Sequence, residues 1–307
     1  SAKNNPYRPQ LIKKRRIKLE SEGSSGIGIG RKIRLERDED NYNKINYHLA
    51  PNEEVAVFPH KGGFINCPGI LYGDFPEVRP HDPFRFVAGL DDYRYESSEG
   101  DSIGCFMIYD RLLEKVVYEL TTRPDPHIDF HREMHMALDA WNAKCFMEAA
   151  DMDFKKYLNR VTQPNFYLYK GFDADGDLSY LSSGSRGFGW VPTKTSTPKI
   201  RGFGIDYCKD DVDIFDKEGN VTGVRYGFER IDSVQLLIEM ERYKEGGNFD
   251  RLIAFSSCLA IDFFLTSKHI HPTKPHPKKD SNDQERQQFK RPRNKFFTKR
   301  RRSPFSG

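Results

Sequence analysis

Residues 84–90, FRFVAGL, form an almost unbroken apolar and aromatic run that stops at two acids, Asp91 and Asp92. A run of this kind reads as a buried strand, with Asp91 held at its carboxyl end. Two more apolar runs follow, SIGCFMIYD and KVVYELTT, separated only by residues 111–114, which suits an antiparallel hairpin continuing the same sheet. The pattern then changes to a helical period through HIDFHREMHMALDAWNA, where Ile128, Met134, Leu138 and Trp141 recur near one face. KCFME returns to strand and is closed by Glu148; DFKKYLNRV reads as a helix and NFYLYK as a short aromatic strand.

Three strands, a helix, a strand, a helix and a strand is the order of the ribonuclease H fold, an α/β architecture with a mixed five-stranded sheet flanked by helices. Its first and fourth strands are neighbours, so Asp91 and Glu148 are expected side by side. A third acid is expected from GGNFDRLIAFSSCLAIDFF, where Asn248 is placed to cap and Asp250 falls in the first turn of an apolar helix. A carboxylate there lies near the positive end of the helix dipole. Each of these acids alone reads as an ordinary cap or turn residue, and Asp92, Asp101 and Asp151 are the nearest substitutes; Asp262 lies too far along the last helix to share a metal with Asp250.

In combination these pieces resemble the nuclease domain of the large terminase subunit, the DNA-packaging motor of tailed phages and herpesvirus-like viruses. The resemblance runs over roughly residues 60–265 and rests on GGFINCPGILYGDFPEV ahead of the strand ending in Asp91, a loop with Asp101 and Ser102, VVYELTTRPD, AWNAKCFME, VPTKTSTPK, ERIDSVQLLIEMERY and GGNFDRLIAF. It implies catalytic metal ligands at Asp91, Glu148 and Asp250, with Asp101 as a weaker fourth contributor. It also implies endonucleolytic cutting of concatemeric double-stranded DNA by a two-metal mechanism, with ions about 4 Å apart bridged by Asp91. Oxygen ligands and unpaired cysteines favour Mg²⁺ or Mn²⁺ over zinc. Lys194, Lys199 and Arg186 are candidate phosphate contacts. Partners implied by the family are DNA, the terminase ATPase domain, the small terminase subunit and the portal, in the host-cell cytoplasm during virus assembly.

No G-x-x-x-x-G-K-[ST] phosphate loop occurs, so no nucleotide site is expected in this chain; GSSGIGIGRKIR has Ile33 where a hydroxyl is required. With Ser1 in place of a methionine, the expectation is a carboxy-terminal fragment or domain, with a split gene product as the alternative. The expected organisation is a basic arm and linker over 1–59, the nuclease domain over 60–267 and a basic, disordered tail over 268–307. The five cysteines are scattered through apolar stretches and read as reduced core thiols, and no segment is long and apolar enough to span a membrane or to serve as a signal peptide.

Net charge is only +4, but residues 1–37 carry 11 Lys and Arg against 3 acids and residues 268–307 carry 13 against 3, leaving an acidic body between basic ends. Arg293, Lys299, Arg300, Arg301 and Arg302 in the tail are candidate DNA contacts, weighed against a solvated or partner-binding tail. DIFDKEGNVTGVRYGF reads as an inserted hairpin. His127, His131 and His135 have helical spacing, but without a nearby cysteine or an H-E-x-x-H arrangement they read as surface or groove-facing histidines of a sheet-covering helix rather than a zinc site. FDADGDLSYL lacks the glycine and glutamate of a calcium loop and reads as a polar turn. Alternative functions are a junction resolvase, an RNase H or transposase-like nuclease, or a DNA- or portal-binding module with a silent nuclease.

Overall fold

The computed structural model describes residues 5–23, 26–57, 63–93, 102–149, 153–171, 187–194, 196–215, 221–244 and 247–273. In chain order the elements are α1 (Pro9–Glu22), β1 (Arg31–Arg37), β2 (Ile45–Leu49), β3 (Gly69–Leu71), β4 (Phe86–Asp91), β5 (Gly104–Asp110), β6 (Lys115–Thr122), α2 (Ile128–Trp141), β7 (Lys144–Met147), α3 (Asp153–Val161), α4 (Pro164–Tyr167), α5 (Ser196–Lys209), β8 (Asp211–Phe215), β9 (Val221–Tyr226), α6 (Val234–Glu241) and α7 (Asp250–Ser267).

The main sheet runs β2-β1-β3-β6-β5-β4-β7. Its last four strands have the ribonuclease H-like order, with β4 and β7 parallel, Leu90 opposite Met147, and β4, β5 and β6 antiparallel. The sheet has seven strands rather than five: four expected strands are joined by β1 and β2 from the segment expected as an arm and linker and by β3, while the strand expected at NFYLYK is not among them. β1 pairs with β2 and β3, with Ile33 and Leu35 buried in the core. α1 belongs to the fold as well, burying Ile12 and Leu19. Basic residues masked this: Arg34 and Arg37 use their charge on Glu53 and Asp139, at 2.5 and 2.7 Å. The expected aromatic strand at NFYLYK is mostly a single helical turn, since Pro164 starts α4 with its φ already helical. Beyond that turn Leu168 bridges to Cys145 and Lys170 to Phe188. The expected hairpin forms from β8 and β9, a separate two-stranded sheet.

Side chains alternate between two cores. Val87, Cys105, Met107, Tyr109 and Phe146 face a layer that includes α5, α6 and α7. Phe86, Ala88, Leu90, Phe106, Ile108 and Met147 face α2 and α3. Because β4 is covered on both sides it is apolar throughout, as its sequence run required. α7 crosses it closely at Gly89, where a Cβ would lie 1.9 Å from the carbonyl oxygen of Ala254. That close crossing sets the amino end of α7 over the carboxyl end of β4. All five cysteines are buried, unpaired thiols. Among the described residues no helix is long and apolar enough to cross a membrane.

Candidate metal centre

Strand alternation decides where the acids go. Gly89 faces α7, so Asp91, two residues on, faces the same layer. Glu148 follows β7 directly, and its amide donates to the carbonyl of Leu90 at 3.0 Å, extending the parallel register so that Glu148 comes beside Asp91. Asp250 opens α7 as expected and is 6% exposed. Its Oδ2 accepts from the amide of Ile103 at 3.1 Å, and its Oδ1 from the hydroxyl of Ser102 at 3.4 Å. Asn248 does not cap the helix; Phe249 holds that position, and Asn248 donates weakly to Asp250 at 3.5 Å.

The electrostatics tie the three carboxylates into one group. Burial, then Asp250, Glu148 and Asp92 in turn, push the Asp91 carboxyl well above the usual range. Burial raises Asp250 to about 6, against the opposing hydrogen bond from Ile103 and the charge of Arg251. Such crowding is costly without a cation, so the carboxylate donor set fits divalent metal.

A buried ionic network supports the floor of this group. Arg251, next to Asp250, donates from Nε to Glu119 at 2.7 Å, from Nη1 to Glu239 at 3.4 Å and from Nη2 to the carbonyl of Ala56 at 2.7 Å. Glu119 also accepts from Ser233 at 2.6 Å, Tyr72 at 3.2 Å and Thr121 at 3.0 Å. Glu239 accepts from the amide of Leu252 at 3.0 Å and is pushed up to about 8 by burial, with Arg251 opposing. β6, α6 and the first turn of α7 are thereby locked together. The apolar strand reading of KVVYELTT gave no hint that Glu119 points inward to a cation.

Trp190 links the lysine-bearing segment to the site. It bridges Glu148, donates its amide to Met147 at 2.9 Å and its indole N–H to Ser257 of α7 at 3.1 Å. The chain then runs to Thr193 and Ser196, which exchange side-chain-to-amide hydrogen bonds of 2.8 and 2.9 Å at the start of α5. Lys194 and Lys199 lie exposed on this segment. Asp101, Asp151, Arg186, the FDADGDLSYL turn and the tail with Arg293, Lys299, Arg300, Arg301 and Arg302 lie outside the described residues. Asp262 is engaged by Arg111 at 2.8 Å and stands apart from the site.

A second cluster lies on the other face. Asp92 turns toward α2, where Oδ1 is 3.0 Å from His127 Nε2 and Oδ2 is 3.0 Å from His131 Nε2. Burial would raise this carboxyl, but His131 and His127 hold it well below the usual range. His135 stands apart, 3.3 Å from the Tyr157 hydroxyl and 3.9 Å from Asp139. The helical spacing of the histidines was visible in the sequence; their third partner was not, because Asp92 is 35 residues upstream and adjoins the more conspicuous Asp91.

The chain is similar to the large terminase nuclease from thermophilic phage G20c. The structure with bound zinc gives a TM-score of 0.39 at 8% identity over 65% of this chain and 91% of that one. The structure with bound magnesium gives 0.30 at 11% identity over 66% and 92%. No protein-family model and no curated protein matches.

Proposed function

We propose that this chain is the metal-dependent endonuclease domain of a viral genome-packaging terminase, cutting concatemeric double-stranded DNA. The observation that carries this reading is the placement of Asp91 and Glu148 at the ends of two adjacent parallel strands, with Asp250 in the first turn of the α7 helix that crosses β4. Asp91, Glu148 and Asp250 would hold two divalent cations, Mg²⁺ or Mn²⁺. These ions supply Lewis-acid polarisation of the scissile phosphodiester and activation of the attacking water.

The chain's own residues do the positioning. Ile103 and Ser102 aim the Asp250 carboxylate, and the register of β4 against β7 fixes the spacing of Asp91 and Glu148. Lys194 and Lys199, on the segment leaving Trp190, suit phosphate binding. The basic residues of the tail would add sequence-independent attraction to DNA.

The deciding experiment is cleavage of linear duplex, four-way junction and RNA–DNA hybrid in Mg²⁺, Mn²⁺, Ca²⁺ or chelator. Cutting of duplex in Mg²⁺ or Mn²⁺ that stops in chelator is expected. Preference for the junction or the hybrid would assign a resolvase or an RNase H, and tight duplex binding with no cutting would assign a binding module.

A further inference from the structure

We propose that Asp92, His127 and His131 form a second metal site, distinct from the Asp91 group, that takes a borderline divalent transition ion of the zinc class. The three residues each offer one ligand atom, all lying within 4.8 Å of one another. A zinc-class ion about 2.0–2.1 Å from each donor spaces neighbouring ligands at about 3.3 Å. Asp92 turns a different oxygen to each ring, Oδ1 to His127 and Oδ2 to His131, each 3.0 Å away, so whichever oxygen ligates is already close to that spacing from one nitrogen. His127 at the amino-terminal cap of α2 and His131 in its first turns are one helical turn apart, so both rings approach Asp92 from one face, and their centroids are 4.2 Å apart.

The surroundings suit a bound ion better than a solvated histidine pair. The side chains of Asp92, His131 and His127 are 6%, 5% and 11% exposed, which screens the site but leaves His127 as an entry path. Tyr93 packs on His127 at 4.3 Å, and Phe154 lies 5.5 Å from His131, giving the ligands an apolar wall that fixes their rings. Imidazole nitrogen selects this class of ion, whereas the all-carboxylate group on the opposite face selects Mg²⁺ or Mn²⁺. Three protein ligands leave at least one coordination position for water. Each histidine would ligate through an Nε2 that carries no proton, so any proton there moves to Nδ1 or to solvent as the ion enters. The bound ion would cross-link the end of β4 to the first turns of α2.

Cobalt(II) is the probe, used on the full chain carrying Asp91→Asn and Asp250→Asn to silence the carboxylate group. One equivalent of Co²⁺ is expected to bind with a visible d–d spectrum and imidazole nitrogen in its X-ray absorption fine structure. Zn²⁺ should displace it and excess Mg²⁺ should not. His127→Gln, at the more exposed ligand, should weaken binding by more than the about 10- to 100-fold that loss of an outer-shell partner costs. His131→Gln should do the same, with circular dichroism reporting whether this buried change leaves the fold intact. An oxygen-only coordination shell in the otherwise unchanged background, or Co²⁺ affinity unaffected by His127→Gln, overturns the proposal. Neither result depends on nuclease activity, so this site and the nuclease reading fail separately.

Discussion

Asp91 and Asp92 are covalent neighbours whose carboxylates serve opposite faces of the sheet. Asp91 joins Asp250 and Glu148 on the α7 side, and Asp92 lies 3.0 Å from both His127 and His131 on the α2 side. Pleating produces this division, since successive side chains at the end of β4 leave the strand in opposite directions. A one-residue slip of β4 against β5 and β7 would exchange the two acids and dismantle both groups.

The amide variants Asp91→Asn, Glu148→Gln and Asp250→Asn should each lower plasmid nicking by about 100-fold or more, equivalent to about 2.7 kcal/mol of lost transition-state stabilisation. Each should also melt no lower than the parent in chelator at neutral pH, because each removes charge from a crowded group. Wild-type nicking by Asp91→Asn would remove Asp91 from the site.

The raised carboxyls make stability depend on pH in a fixed direction. Asp250 keeps its proton in the folded state up to about 6, against 3.8 for the free side chain, so the folded chain binds the extra proton between those values. Metal-free stability should therefore fall as pH rises through that interval, by of order 1–3 kcal/mol, and go on falling above it, because the raised Asp91 and Glu239 carboxyls lose their protons at higher pH. Mg²⁺ needs the ionised carboxylates, so the rise in melting temperature it gives should grow as pH passes about 6. Melting curves from about pH 5 to about pH 8, with Mg²⁺ or chelator, test this; a Mg²⁺ effect independent of pH would contradict it.

The sequence was most legible where one residue's role follows from local pattern. The apolar run ending in Asp91, the strand closed by Glu148 and the helix opened by Asp250 all occur where periodicity put them. Relations between distant residues were hidden. β1 and β2 looked like a charged arm because Arg34 and Arg37 on their surface are neutralised only by Glu53, Glu133 and Asp139, brought in by folding. Glu119 stands inside a run read only as an apolar strand, and it is fully buried against Arg251, which lies 132 residues away. The pairing of Asp92 with two histidines was hidden for the same reason: helical spacing reports a face but not what packs on it.

Arg251 should be a strong stability determinant as well as a positioning residue. Arg251→Met leaves Glu119 and Glu239 buried without their cation, a loss of about 3–5 kcal/mol. Glu119→Gln together with Arg251→Met should recover part of that loss, since it removes a stranded charge along with its partner. Denaturant unfolding of the single and double variants measures the coupling. Strictly additive effects would show that the Glu119 and Arg251 side chains do not act as a pair.

The crossing at Gly89 makes the geometry of the acids sensitive to one methyl group. Gly89→Ala would drive a Cβ to 1.9 Å from the Ala254 carbonyl oxygen, backbone that has no rotamer to escape through. α7 must shift, at a cost of about 1–3 kcal/mol or more, and Asp250 moves with it. Nicking should fall more than stability does, read as a lower kcat at a temperature where the variant remains folded. Full activity in a folded Gly89→Ala variant would mean that the spacing of Asp250 from Asp91 does not limit cutting.

The basic tail is tested by salt. Residues 286–307 include Lys290, Arg291, Arg293, Lys295, Lys299, Arg300, Arg301 and Arg302. Each phosphate contact contributes about 0.9 to the slope of log affinity against log salt, so removing this segment should flatten the slope by several units if these residues bind the DNA backbone. Asp91, Glu148 and Asp250 all precede the truncation, so cutting at low salt and high DNA concentration should survive. A labelled duplex titrated with the full and shortened chains across a salt series gives both slopes. Equal slopes would move the DNA-binding surface to the folded body, with Lys194 and Lys199 beside Trp190 the next residues to replace.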